Sequence, residues 1–132
     1  MNIRLLIAEH ELVAPVVLDF INRLMADGFG YQIKPIVARN ITEAYVMIDE
    51  ADMAIIDIGE KERELLAVTA LIREHIPVIV TSALIRHQFI EDREGFCFLS
   101  KPRFDLRKLR QKLEEFAELI TANSDHQEAF AI

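Results

Sequence analysis

The chain has 132 residues, 52% of them apolar and 28% charged, and a net charge of −7. That is enough apolar material for one domain with its own core. The negative charge argues against a nonspecific nucleic-acid binder, because a phosphate backbone would repel it, and no apolar stretch reaches the ~18 residues that span a bilayer.

The N-terminal MNIRLLIAEHE holds an apolar run too short for a signal peptide and lacks a small-residue cleavage site, so a cytoplasmic protein is expected. Its apolar part, about 3–8, predicts a first strand. A helix is expected next, at about 13–27, with Val17, Phe20, Ile21, Leu24 and Met25 on one stripe and Pro15 in the first turn, where a missing N–H costs nothing. Gly28 and Gly30 end it. They form no dinucleotide fingerprint, because no strand precedes them and no third glycine comes after. The second strand, about 31–38, contains Pro35, which belongs at a sheet edge rather than in a central strand. Asn40 caps a second helix, with Glu43 three residues on and an apolar face of Ile41, Ala44, Tyr45 and Ile48.

A third strand is predicted at about 52–57, a third helix at about 61–74, and a fourth strand at about 77–81. The fourth helix, about 84–92, is short and weakly patterned. The fifth strand, about 96–99, holds Cys97; as the only cysteine it excludes an intramolecular disulfide, and its apolar setting marks it as core. Asp105 caps a fifth helix carrying Leu106, Leu109, Leu113, Phe116 and Ile120 at helical spacing. Residues 122–132 read as a polar tail, leaving 1–121 as the domain.

Alternating strands and helices predict an α/β fold: a doubly wound, three-layer, five-stranded parallel sheet. With Pro35 at an edge, the flavodoxin-like order 2-1-3-4-5 fits, and strands one and three flank the switch point where ligands bind. The polar residues that end the apolar runs then gather at one edge. Glu9 and His10 end the first strand, Asp57 the third, Ser82 the fourth and Lys101 the fifth. Two carboxylates suit Mg²⁺, an ammonium balances charge, and a hydroxyl donates to an oxyanion; together they suit phosphoryl transfer onto Asp57. Thr81 competes with Ser82 for the hydroxyl's role, since adjacent strand residues point to opposite faces; Ser82 is favoured.

In order along the chain, LLIAEHE, DMAIID, PVIVTSA and FLSKP resemble the pieces that define the receiver domain of two-component response regulators. The resemblance covers residues 3 to about 120. It implies Asp57 as phosphoacceptor, Glu9 as the first of an acidic metal-binding pair, Ser82 as the hydroxyl that senses the phosphoryl group, Lys101 as counter-charge and Phe98 as an aromatic switch. It also implies a cis bond before Pro102 and Mg²⁺ held by Glu9 and Asp57, with His10 a further candidate ligand. Two departures stand out. His10 occupies the place of the second acid, which weakens the site for a hard cation. The segment after Asp57, IGEKERELL, lacks the family's usual turn residues, and the interval to Ser82 is short.

The resemblance implies a stand-alone receiver, not an enzyme beyond self-phosphorylation from a donor and slow autodephosphorylation. Its partners would be a sensor histidine kinase or phosphotransfer protein and a downstream protein target. A homodimer through the fourth helix, fifth strand and fifth helix is a further expected contact, with Arg107, Lys108, Arg110 and Lys112 supplying positive charge. The alternative is a degenerate receiver that binds a protein partner without being phosphorylated, which His10 and the altered loop favour.

Overall fold

A computed structural model of the chain describes residues 2–9, 14–57, 75–82, 96–100 and 106–130. Five strands, β1 (Asn2–Ala8), β2 (Gln32–Val37), β3 (Met53–Asp57), β4 (Val78–Ser82) and β5 (Phe96–Ser100), form one sheet in the order β2-β1-β3-β4-β5. All four neighbouring pairs are parallel. The described helices are α1 (Ala14–Ala26), α2 (Ile41–Val46) and the C-terminal helix (Leu106–Phe130), with a 3₁₀ turn at Ile48–Glu50. The predicted third and fourth helices lie outside the described residues, as do the Asp105 cap, His10, Lys101 and Pro102.

The near-continuous apolar runs reflect burial on both sheet faces. Because successive strand residues point to opposite faces, each run divides between two cores. Ile3, Leu5 and Ile7 of β1, Met53 and Ile55 of β3, Ile79 of β4 and Cys97 of β5 lie on one face. There they pack under Val17, Ile21 and Leu24 of α1 and Leu109, Leu113 and Phe116 of the C-terminal helix. Leu6, Ala8, Ala54, Ile56, Val78, Val80 and Phe96 lie on the other face, against Ala44, Ile48 and Ala51. The sheet is thus covered on both sides, as the doubly wound fold requires.

Local chemistry sets the element ends. After α1, the Phe29 N–H donates to the Leu24 carbonyl (3.2 Å) and the Gly28 N–H to the Met25 carbonyl (3.2 Å), with Gly28 at φ +87°. This is a Schellman closure: a left-handed residue turns the chain, and Phe29 and Leu24 join the same core. The Ile33 N–H of β2 donates to the Met25 sulfur at 3.3 Å, which ties the end of α1 to the edge strand. Pro35 sits in that edge strand, in register with Leu5. Asn40 Oδ1 accepts from the Glu43 N–H at 2.8 Å and caps α2.

At the amino-terminal edge of the sheet, Asp52 joins β1 to the start of β3. The Arg4 N–H donates to Asp52 Oδ2 and the Asp52 N–H to the Arg4 carbonyl, each at 2.8 Å, while the two side chains pair at 3.2 Å. The hydrogen bond to Asp52, and then its charge, hold the Arg4 guanidinium above its ordinary pKa.

Three expectations need correction. Tyr45 is 44% exposed and is not on the apolar face of α2. That helix is short and passes into a 3₁₀ turn, so Ala44, Met47, Ile48 and Ala51 carry the contact in this segment. Leu106 is 46% exposed, because it precedes the first position at which the C-terminal helix meets the sheet, Leu109. Finally, the expected tail from 122 onward continues the C-terminal helix to Phe130. Its polar residues are helix-compatible, and no glycine or proline stops them.

Candidate functional site

In this topology the crevice lies at the carboxyl ends of the strands, between β1 and β3 where the strand order reverses. Ala8 of β1 is in register with Ile56 of β3, so Glu9 and Asp57 come next on neighbouring strands at that end. Asp57 is the last residue of β3, half-buried, and in register with Thr81 of β4. Glu9 is only 8% exposed and Thr81 is fully buried, the two polar residues buried among an otherwise apolar set of described positions.

The strand period explains why these three residues share a face. Glu9 continues the alternation of Ile3, Leu5 and Ile7; Asp57 continues that of Met53 and Ile55; Thr81 continues that of Ile79. All three therefore belong to the face covered by α1 and the C-terminal helix. The Thr81 Oγ1 hydroxyl donates to Glu9 Oε1. β1 and β4 stand on opposite sides of β3, each about 4.8 Å from it. Their side chains therefore join across the end of β3, the position that Asp57 occupies.

A buried carboxylate without donors is costly, and a hydroxyl that donates to it offsets part of that cost. Glu9 is thus a carboxylate built into the sheet edge rather than a solvated loop acid.

Glu9 and Asp57 supply hard oxygen donors, the type that Mg²⁺ takes in small number while keeping several waters. Among the described residues there is no group of three or more His, Cys, Asp or Glu side chains able to hold a metal. Two carboxylates suit Mg²⁺ as a partly hydrated ion.

Ser82 ends β4, its backbone in register with Ser100, and Phe98 lies in β5 in register with Val80. Lys101, Pro102 and His10 lie outside the described residues. Of the expected basic surface, Arg110 pairs with Glu114 at 3.5 Å and Lys112 with Glu115 at 3.1 Å on the same helix, so part of that charge is balanced internally. Among the described residues, no helix is long and apolar enough to cross a membrane.

The residue that sequence reasoning undervalues is Thr81. Its signal is present in the chain: it shares strand parity with Ile79, the buried residue of the same face, whereas Ser82 does not. What the sequence does not contain is the register that brings β4 beside β3 at this height.

No protein-family model matches the chain, and no curated protein matches it. Solved structures do. The chain is similar to NtrX from Brucella abortus, crystallised with ADP, at a TM-score of 0.63 and 19% identity. That match covers 98% of this chain and 29% of the NtrX chain, so this chain spans under a third of NtrX. It is similar to the receiver domain of the hybrid histidine kinase CckA (TM-score 0.53, 24% identity, 85% of this chain and 96% of that one). It is also similar to the N-terminal domain of the nisin resistance regulator NsrR (TM-score 0.57, 23% identity, 86% and 96%). The fold of this chain is therefore that of response-regulator receiver domains, the flavodoxin-like α/β arrangement.

Proposed function

We propose that this chain is a receiver in two-component signalling that accepts a phosphoryl group on Asp57. The donor would be a phosphohistidine on a sensor histidine kinase or a phosphotransfer protein. One Asp57 carboxylate oxygen forms a P–O bond as the P–N bond of the donor breaks, and the departing imidazole takes up a proton. Glu9 and Asp57 would hold Mg²⁺, which when bound supplies positive charge beside the phosphoryl oxygens. Lys101 supplies a second positive charge and Ser82 the hydroxyl that responds to the phosphoryl group, roles that rest on the resemblance of FLSKP and PVIVTSA. The signal would leave by protein contact, in the cytoplasm, with Phe98 as the switch residue and a downstream protein or a second copy of the chain as the receiver of the signal.

One observation carries this reading. Asp57 ends the central strand β3, and the buried Glu9 carboxylate is held across that same strand end by Thr81. A carboxylate at the switch point of a parallel sheet, with a second one at the end of the neighbouring strand, lies where such folds bind ligands.

Intact-mass analysis after incubation with acetyl phosphate and Mg²⁺ tests it. One added phosphoryl group on the wild type, and none on Asp57→Asn, is the expected result. A second reading is favoured by the Thr81–Glu9 bond itself, which satisfies the acid from within the protein. On that reading the chain is a degenerate receiver that binds a partner without phosphorylation. No adduct at any Mg²⁺ concentration would select it.

A further inference from the structure

The Thr81–Glu9 pair has a role that the phosphoacceptor reading does not assign, although it rests on that reading. We infer that Thr81 is a positioning residue: its hydroxyl holds the Glu9 carboxylate across the end of β3 and thereby sets the affinity of this edge for Mg²⁺.

Conformational freedom is the reason. A glutamate has three side-chain torsions, and Glu9 stands just beyond the end of β1, where the ladder no longer constrains it. Such a side chain has several staggered positions open to it. Thr81 has one torsion, restricted by its β-branch, and sits inside β4 between strands on both sides. A stiff, fully buried donor thus selects one position for a flexible acceptor. Thr81 is also in register with Asp57, so the Thr81–Glu9 bond spans the strand end at which Asp57 stands.

A carboxylate accepts hydrogen bonds and metal ions through different lone pairs on its two oxygens. Donation to Oε1 is therefore compatible with cation binding by the same carboxylate. Outer partners of this kind fix the orientation of metal-binding carboxylates in general. The two adjacent hydroxyls of β4 then divide the work. Thr81 acts through Glu9 on the cation, and Ser82 is left for the phosphoryl group.

The test uses the full chain and Mg²⁺ as the probe. Thr81→Val keeps the shape and removes the hydroxyl; it is expected to weaken Mg²⁺ binding by roughly tenfold or more, the usual effect of losing such a partner. Thr81→Ser, which restores the hydroxyl, is expected to recover most of the wild-type affinity. The acetyl phosphate reaction should reach the wild-type extent in Thr81→Val at saturating Mg²⁺, with its midpoint shifted to higher concentration. Unchanged or tighter Mg²⁺ binding in a folded Thr81→Val protein overturns the inference.

Should Thr81→Val fail to fold, an NMR titration of the wild type gives the answer. The Thr81 methyl and amide resonances are expected to move with the same Mg²⁺ midpoint as those of Asp57. Thr81 resonances that stay fixed while those of Asp57 move overturn it. A wild type that takes the phosphoryl group, beside a variant with unaltered Mg²⁺ response, refutes this inference alone. A wild type that neither binds Mg²⁺ nor accepts the phosphoryl group refutes the phosphoacceptor reading and this inference with it.

Discussion

Replacing Thr81 by valine in two backgrounds measures whether the Glu9 contact stabilises the fold. In the wild type, the substitution removes a donor from a carboxylate that is 8% exposed. A hydrogen bond to a charged group contributes about 1.5–3 kcal/mol to stability. The new methyl, in a fully buried place, returns about 0.8 kcal/mol of apolar burial. The net expectation is a loss of about 1–2 kcal/mol. For a chain of this length that lowers Tm by about 3–8 °C. In a Glu9→Leu background there is no carboxylate to lose this donor, so the same Thr81→Val change should be neutral or stabilising, because replacing both partners with apolar groups is nearly free. Urea unfolding of the four proteins, in chelator so that metal linkage does not enter, gives the coupling energy directly. The slope of each unfolding curve must stay constant for the comparison to hold. An equal cost for Thr81→Val in both backgrounds would refute the reasoning, since the hydroxyl would then owe nothing to Glu9.

Two further predictions concern the frame that holds the site. Gly28 has φ +87°, and a Cβ added there would meet no atom within 4 Å, so Gly28→Ala tests backbone strain alone; a loss of about 1–2 kcal/mol is expected by thermal unfolding. Gly30 also has open space but no positive φ; Gly30→Ala should be neutral or gain up to about 1 kcal/mol, and equal losses at both positions would contradict the Schellman closure. On the C-terminal helix, Leu113 is fully buried whereas Leu106 is 46% exposed. Leu113→Ala should cost about 2–5 kcal/mol in urea unfolding and Leu106→Ala less than about 1 kcal/mol. Similar costs for the two would mean that the helix is rotated from the face described.

Much of this molecule is legible in the chain because its signals are local. Pro35 marks the edge strand, since a residue without an N–H cannot serve a central ladder, and β2 is at the edge. Asn40 with Glu43 marks the start of α2, and the Asn40 side chain caps it. Gly28 marks the end of α1, because the turn there needs a left-handed residue. Where local signals are weak or long-range packing intervenes, expectation and structure part. Tyr45 has helical spacing to Ile48 and Ile41, but the helix is too short to present it to the core. The polar residues after Thr121 read as a tail because they offer no apolar stripe, yet a helix already nucleated by its buried first half extends through them, one hydrogen bond per residue added.

The order of amino acids suffices for the five apolar runs, their alternation with helices and the polar residues that end each run. The sheet order is then narrowly constrained, because the proline and the handedness of parallel crossovers leave few alternatives. Which of those polar residues meet is settled only when the strands pack. Thr81 and Ser82 are equal as letters; the register of β4 against β3 puts Thr81 beside Asp57 and gives its hydroxyl to Glu9. The difference is one of scale. Hydrophobic periodicity and caps act within a few residues, whereas Glu9 and Thr81 are 72 positions apart in the chain. Their contact exists only once two strands have been placed on either side of a third.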